Sequence, residues 1–166
     1  MSVLLSRTLS SPIGKLYLVT SDDVVLGLNL SGIDSILASL DSDQQKMKLS
    51  KEVRPSRATQ ALTDYFDGDL SAFNSIKVRQ RGGDFSQAAW SGMRKIKAGK
   101  TESYAQLAKR AGNPAAVRAA GSACAKNKIV IIVACHRVIN SNGSIGAYGP
   151  GAEKKLWLLR HEGALA

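Results

Sequence analysis

Cysteine and histidine are scarce, with two of each among 166 residues. Two cysteines are too few for a disulfide framework, and at these spacings the four side chains make no closed zinc site, so no structural metal is expected. Nowhere does the chain hold the roughly 18 uninterrupted apolar residues of a membrane-spanning helix, and residues 1–20 lack the apolar core of a signal peptide. An intracellular chain with reduced thiols is the expectation, cytoplasmic in a prokaryote and nuclear in a eukaryote. Internal repeats and low-complexity tracts are missing too. Acidic residues are scarce only in the second half. Residues 1–82 carry 10 Lys/Arg against 9 Asp/Glu, whereas residues 83–166 carry 13 against 4, so nearly all of the net charge of +10 lies beyond Gly82. Such an excess favours a polyanionic partner, because neutralising phosphates releases condensed counterions.

With 44% hydrophobic residues the chain can bury a core, and its patterning predicts two domains, 1–82 and 83–166. The first reads as a small antiparallel sheet: β-rich runs at Val3 to Leu9, Lys15 to Thr20 and Val24 to Leu30, the last two joined by a Ser21-Asp22-Asp23 turn. A helix from Ser56 to Phe66 follows, with Ala58, Leu62 and Phe66 at helical spacing and Asp67-Gly68-Asp69 as its stop. The polar stretch Asp41 to Lys51 reads as a mobile loop. No catalytic constellation is visible in this half.

Beyond Gly83 the pattern turns helical. Asp84 is the expected N-cap of a helix that presents Phe85, Ala89, Met93 and Ile96, with Gly99 as a stop. A second helix fits Ser103 to Ala111 and ends at Gly112. A third is expected to open at Asn113-Pro114 and run to Lys126. Two helices joined by a tight Gly-Asn turn are a helix-turn-helix candidate for DNA. Ile129 to Ala134 reads as a buried strand or extended segment leading into Cys135-His136-Arg137, Asn140 to Gly151 as a glycine-rich loop, and Ala152 to His161 as a closing helix. Trp90 and Trp157 read as core.

Cys135 follows an apolar run and precedes a loop able to shape a pocket. A thiolate is the strongest side-chain nucleophile near neutral pH, provided something lowers its pKa; His136 and Arg137 are candidates, with Glu162 to orient the histidine. Successive residues of a strand point to opposite faces, so Cys135 and His136 cooperate only if the chain turns there or a water bridges them. A buried structural cysteine beside a surface histidine is the alternative for any isolated pair of this kind.

The segment VIIVACHRVINSNGSIGAYGPGAEKKLWLLRHEG closely resembles the active-site region of 6-O-alkylguanine-DNA alkyltransferases, and SYAQLAKRAGNPAAVRAAGSACAKN resembles that family's helix-turn-helix. The N-terminal half is similar only in layout. The resemblance implies an α/β protein with a small N-terminal sheet-plus-helix domain and a mainly helical, winged-helix-like C-terminal domain. It implies a monomer that binds double-stranded DNA carrying alkylated guanine, flips the base out and takes its alkyl group irreversibly onto Cys135, without cofactor or metal.

It also implies roles residue by residue. His136 acts through a water as base, Glu162 holds the imidazole, and Tyr148 shares a proton with the departing guanine. The amide of Gly149 and the carbonyls of Cys135 and Val138 read the flipped base. Arg118 fills the vacated stack, Tyr104 crowds the phosphate, and Asn127 ties the recognition helix to the active-site segment. Cys124 has no matching role and reads as small filler. The chain departs from the family in Ala134, where proline is usual, in Gly149, where serine is frequent, and in Pro150. Two rivals belong to other classes: a non-catalytic damage sensor, against which Cys135 speaks, and a thiol hydrolase, which needs no basic recognition domain.

Overall fold

Three short runs of β-branched and apolar residues form an antiparallel meander: β1 (Leu4–Ser11), β2 (Gly14–Ser21) and β3 (Val24–Asn29). The β2–β3 connection is Asp22-Asp23, with φ of 50° and 61°. That pair of positive angles matches a type I′ turn, whose twist suits the strands it joins. Gly27 in β3 is glycine because Ile36 of α1 (Ile33–Ser39) lies where a Cβ would stand. The close approach seats α1 on a cluster of Leu4, Val19, Leu26, Ile36 and Leu40. The computed structural model describes residues 2–166, and residues 1–81 and 82–166 form two compact units.

The stretch from Asp41 to Lys51 is not the loop its polarity suggested. Asp41 and Gln44 exchange side-chain to backbone hydrogen bonds in a capping box that starts α2 (Ser42–Gln45), and β4 (Leu49–Lys51) pairs in parallel with β1. Capping and edge pairing satisfy backbone groups without an apolar period, so a hydrophobic pattern does not reveal them. In α3 (Arg57–Phe66) Ser56 is the cap, and the fully buried aromatic is Tyr65, stacked on Phe73, while Phe66 is half-buried. β5 (Lys77–Val78) completes a sheet of order β4-β1-β2-β3-β5.

The second unit opens with α4 (Asp84–Lys95), whose cap is Gly83 rather than Asp84. Asp84 is the first helical residue, where its carboxylate meets the positive end of the helix dipole. Ala89, Met93 and Ile96 are buried as their spacing requires, and Trp90 donates from Nε1 to the Ala123 carbonyl at 2.9 Å. After β6 (Glu102–Ser103) comes α5 (Tyr104–Arg110), started by a capping box between Ser103 and Gln106.

α6 (Val117–Lys126) begins later than Asn113-Pro114 suggested. Asn113 spends its oxygens on a separate turn, its side chain accepting from Ala115 N at 3.2 Å and its carbonyl from Ala116 N at 3.0 Å. The α5–α6 pair is the helix-turn-helix.

Residues 129–134 are buried but form no strand. Hydrogen bonds from Ile132 N to Val130 O, Val133 N to Ile129 O and Cys135 N to Val133 O fold the run into successive turns. The first is a γ-turn centred on Ile131, at φ 73°, the strained hand for a β-branched residue. The last centres on Ala134, at φ −81° and ψ 61°, close to the relaxed inverse γ-turn. A 3-10 turn (Cys135–Arg137), β7 (Val138–Ile139), which pairs in parallel with β6, and α7 (Ala152–His161) complete the unit. Trp157 is half-buried and stacks on His161 instead of joining the core. No helix among the described residues is long and apolar enough to cross a membrane.

Candidate active site

Asn127, just past the end of α6, does the work that a neighbouring strand would do for the 129–134 run. Its Oδ1 accepts from Ile129 N at 3.1 Å and its Nδ2 donates to Val133 O at 2.9 Å. The same Nδ2 donates to Cys135 Sγ at 3.3 Å. One buried amide therefore fixes both ends of the turn and points a donor at the thiol. The 3-10 turn that follows answers the strand objection, since Cys135 and His136 do not lie on opposite faces of an extended chain.

His136 is fully buried, and its Nε2 lies 2.8 Å from Glu162 Oε2. Beside an ionised carboxylate Nε2 carries the proton, which leaves the lone pair on Nδ1. Nδ1 is buried with no hydrogen-bond partner among the described residues. Burial lowers the imidazole from its ordinary value, Arg137 and Lys155 lower it further, and Glu162 opposes them, so neutral histidine is the resting form.

Arg137 is committed elsewhere than at the thiol. Its Nε and Nη2 donate to the two Glu162 oxygens at 2.9 Å each, and Nη1 donates to Ile96 O at 2.6 Å, at the end of α4. Burial alone would raise the Glu162 carboxyl, but the hydrogen bonds from His136 and Arg137 outweigh it and hold the group well below the usual carboxylate range. Cys135 is pushed up by burial and pulled back by Asn127 and then Lys155.

Around this centre the other expected residues divide. Tyr148 is half-buried, its ring 6.5 Å from that of His136 and edge-on to it. Tyr104 is half-buried with its hydroxyl against the glycine-rich loop, 3.2 Å from where a Cβ on Gly146 would stand; burial and then the two thiols raise its pKa. The Cys135 carbonyl accepts from Val138 N, and the Val138 carbonyl accepts from Lys155 Nζ at 2.7 Å. Gly149 is exposed within the turn closed by Gly151 N and Tyr148 O. Arg118 is exposed on the first turn of α6, and Cys124, on its last, is half-buried with a thiol that burial raises to about 12. No group of three or more His, Cys, Asp or Glu among the described residues is placed to hold a metal ion.

Lys155 is the member the sequence did not disclose. Yet Lys155, Leu158, Leu159 and Glu162 are all buried and fall at the i, i+3, i+4, i+7 spacing of one helix face. Two charged residues on an otherwise apolar stripe were the available signal.

Residues 84–164 match the sequence profile described as 6-O-methylguanine DNA methyltransferase, DNA binding domain, which sets the class of the second unit. Methylated-DNA-protein-cysteine methyltransferases are similar along nearly the whole chain. That of Salmonella typhimurium is 32% identical, covering 98% of this chain and 97% of its own, and that of Mycobacterium tuberculosis H37Rv is 37% identical, covering 94% and 90%. The crystal structure of Mycobacterium tuberculosis O6-methylguanine methyltransferase superposes with a TM-score of 0.78 at 33% identity, covering 100% of this chain and 95% of that one. Mycobacterium tuberculosis OGT in complex with DNA gives 0.80 at 33% identity over 96% and 93%. The chain belongs to the methylated-DNA-protein-cysteine methyltransferase family.

Proposed function

We propose that this protein reverses alkylation damage directly: it binds duplex DNA, extrudes the 6-O-alkylguanine and moves the alkyl group onto Cys135 Sγ. The observation that carries the reading is the buried chain Asn127–Cys135–His136–Glu162, in which a thiol is held on one side and an unpaired histidine nitrogen follows in the same turn. The basic excess of residues 83–166 and the exposed Arg118 at the head of α6 suit a polyanionic duplex from which a base must be removed.

The Cys135 proton passes through a water to His136 Nδ1, and Glu162 balances the imidazolium. The thiolate attacks the alkyl carbon as the bond from that carbon to the guanine oxygen breaks. The electron pair leaves with the guanine, and Tyr148 supplies a proton to the ring. A thioether on Cys135 and an unmodified guanine result. Gly149, Val138 and the Cys135 carbonyl border the base, and Tyr104 presses on its phosphate. The protein works as a monomer inside the cell, with residues 82–166 carrying the chemistry.

The test is incubation with a duplex carrying labelled alkyl on guanine. Label is expected on Cys135, stopping at one equivalent, because a thioether has no good leaving group and neither His136 nor Glu162 can hydrolyse it. Cys135→Ser is expected to bind and not transfer. Repeated turnover, or label on any other residue, refutes the mechanism.

A further inference from the structure

Lys155 is fully buried, and its ammonium is met only by neutral groups: the Val138 carbonyl at 2.7 Å and the Ala147 carbonyl at 3.2 Å. No carboxylate pairs with it among the described residues; Glu162, the one buried acid, is taken by His136 and Arg137. A buried cation without an anion is strongly unfavourable, so its retention calls for an anion formed nearby. Burial pushes the Lys155 pKa down, and the Cys135 and Cys124 thiols are the groups that oppose this. Cys124 stays protonated, at about 12. Cys135 is the thiol that remains.

We propose that Lys155 is a positioning residue of the Cys135 site: its ammonium is the counter-charge of the Cys135 thiolate and its two carbonyl bonds hold Val138 and the Tyr148 loop around it. The proposal rests on reading Cys135 as the nucleophile. Val138 ends the turn that carries Cys135, and Ala147 immediately precedes Tyr148, so one side chain from α7 fixes both walls of the thiol's surroundings. The ammonium and the histidine have different chemical roles. His136 removes the proton, whereas Lys155 stabilises the charge that is left. The other groups facing Cys135 are Asn127 from the end of α6, Cys124 from α6 and Tyr104 from α5, none of which is cationic.

The test needs no DNA. In a Cys124→Ala background, Cys135 alkylation by iodoacetamide is followed by mass spectrometry across a pH series for the parent, Lys155→Met and Lys155→Arg. Loss of the charge is expected to raise the alkylation midpoint by about one pH unit or more, a roughly tenfold slower reaction near neutral pH, and Lys155→Arg is expected to restore most of it. A folded Lys155→Met protein with the parental midpoint overturns the proposal. Should Lys155→Met fail to fold, NMR titration of the Lys155 side chain in the parent and in Cys135→Ala decides. A fall in the lysine pKa on losing the thiol supports the pairing, and an unchanged value overturns it. Failure of alkyl transfer from DNA by the unaltered protein sinks the proposed function instead, and leaves this titration free to give its own answer.

Discussion

His136 and Glu162 share a hydrogen bond of 2.8 Å in which neither side chain is accessible to solvent. Arg137 binds the same carboxylate through both its oxygens. The three groups form one unit whose charge balance depends on Glu162 remaining ionised.

Glu162→Gln is therefore expected to abolish transfer and to cost about 3–5 kcal/mol, because the Arg137 guanidinium loses its counter-charge while still buried. The parent should lose stability in acid. A folded-state pKa below the unfolded one gives a contribution that is complete above the ordinary carboxyl value of 4.5 and erodes as pH falls beneath it. Urea midpoints measured from about pH 6 to about pH 3 should fall for the parent and stay flatter for the variant.

Asn127→Ala removes the donor to Cys135 Sγ, the donor to Val133 O and the acceptor for Ile129 N together. Leaving such buried backbone groups unsatisfied costs about 1–3 kcal/mol. Lower stability should come with a slower iodoacetamide reaction at Cys135 near neutral pH; a stable variant with parental thiol kinetics contradicts the double role.

Ala134 already adopts the backbone angle that proline enforces, with φ of −81°. Ala134→Pro is expected to stabilise by about 0.4–1 kcal/mol through the unfolded chain, with transfer preserved. A lowered urea midpoint shows instead that the Ala134 amide or the residue before it resists the ring.

Arg118→Ala should leave stability within about 0.5 kcal/mol, as for an exposed position. Repair of a duplex is expected to slow far more than transfer from the free alkylguanine base. Equal losses on the two substrates would place Arg118 in the fold or the thiol site. Binding of undamaged duplex should weaken steeply with salt, which affinities measured across a salt series check.

Much of this was legible in the sequence where one residue type has one local use. The Asp22-Asp23 turn, the start of α5 at Ser103 and the bounds of α7 were legible from local turn and helix signals. Cys135, His136 and Glu162 were named from motif and resemblance. What stayed hidden depended on tertiary partners. The 129–134 run looks like a strand because its residues are apolar, but its backbone is satisfied by Asn127 and by its own turns. Lys155 carried no assignment from its residue type, and the packing of α7 is what buries it.

The dependence of the Cys135 site on α7 also bears on truncation. Lys155 and Glu162 both lie beyond Cys135 in the chain, so a chain cut within the glycine-rich loop keeps the thiol and loses both the buried ammonium and the carboxylate behind the histidine. Cys135 in such a fragment is expected to be an ordinary thiol, slow towards electrophiles near neutral pH.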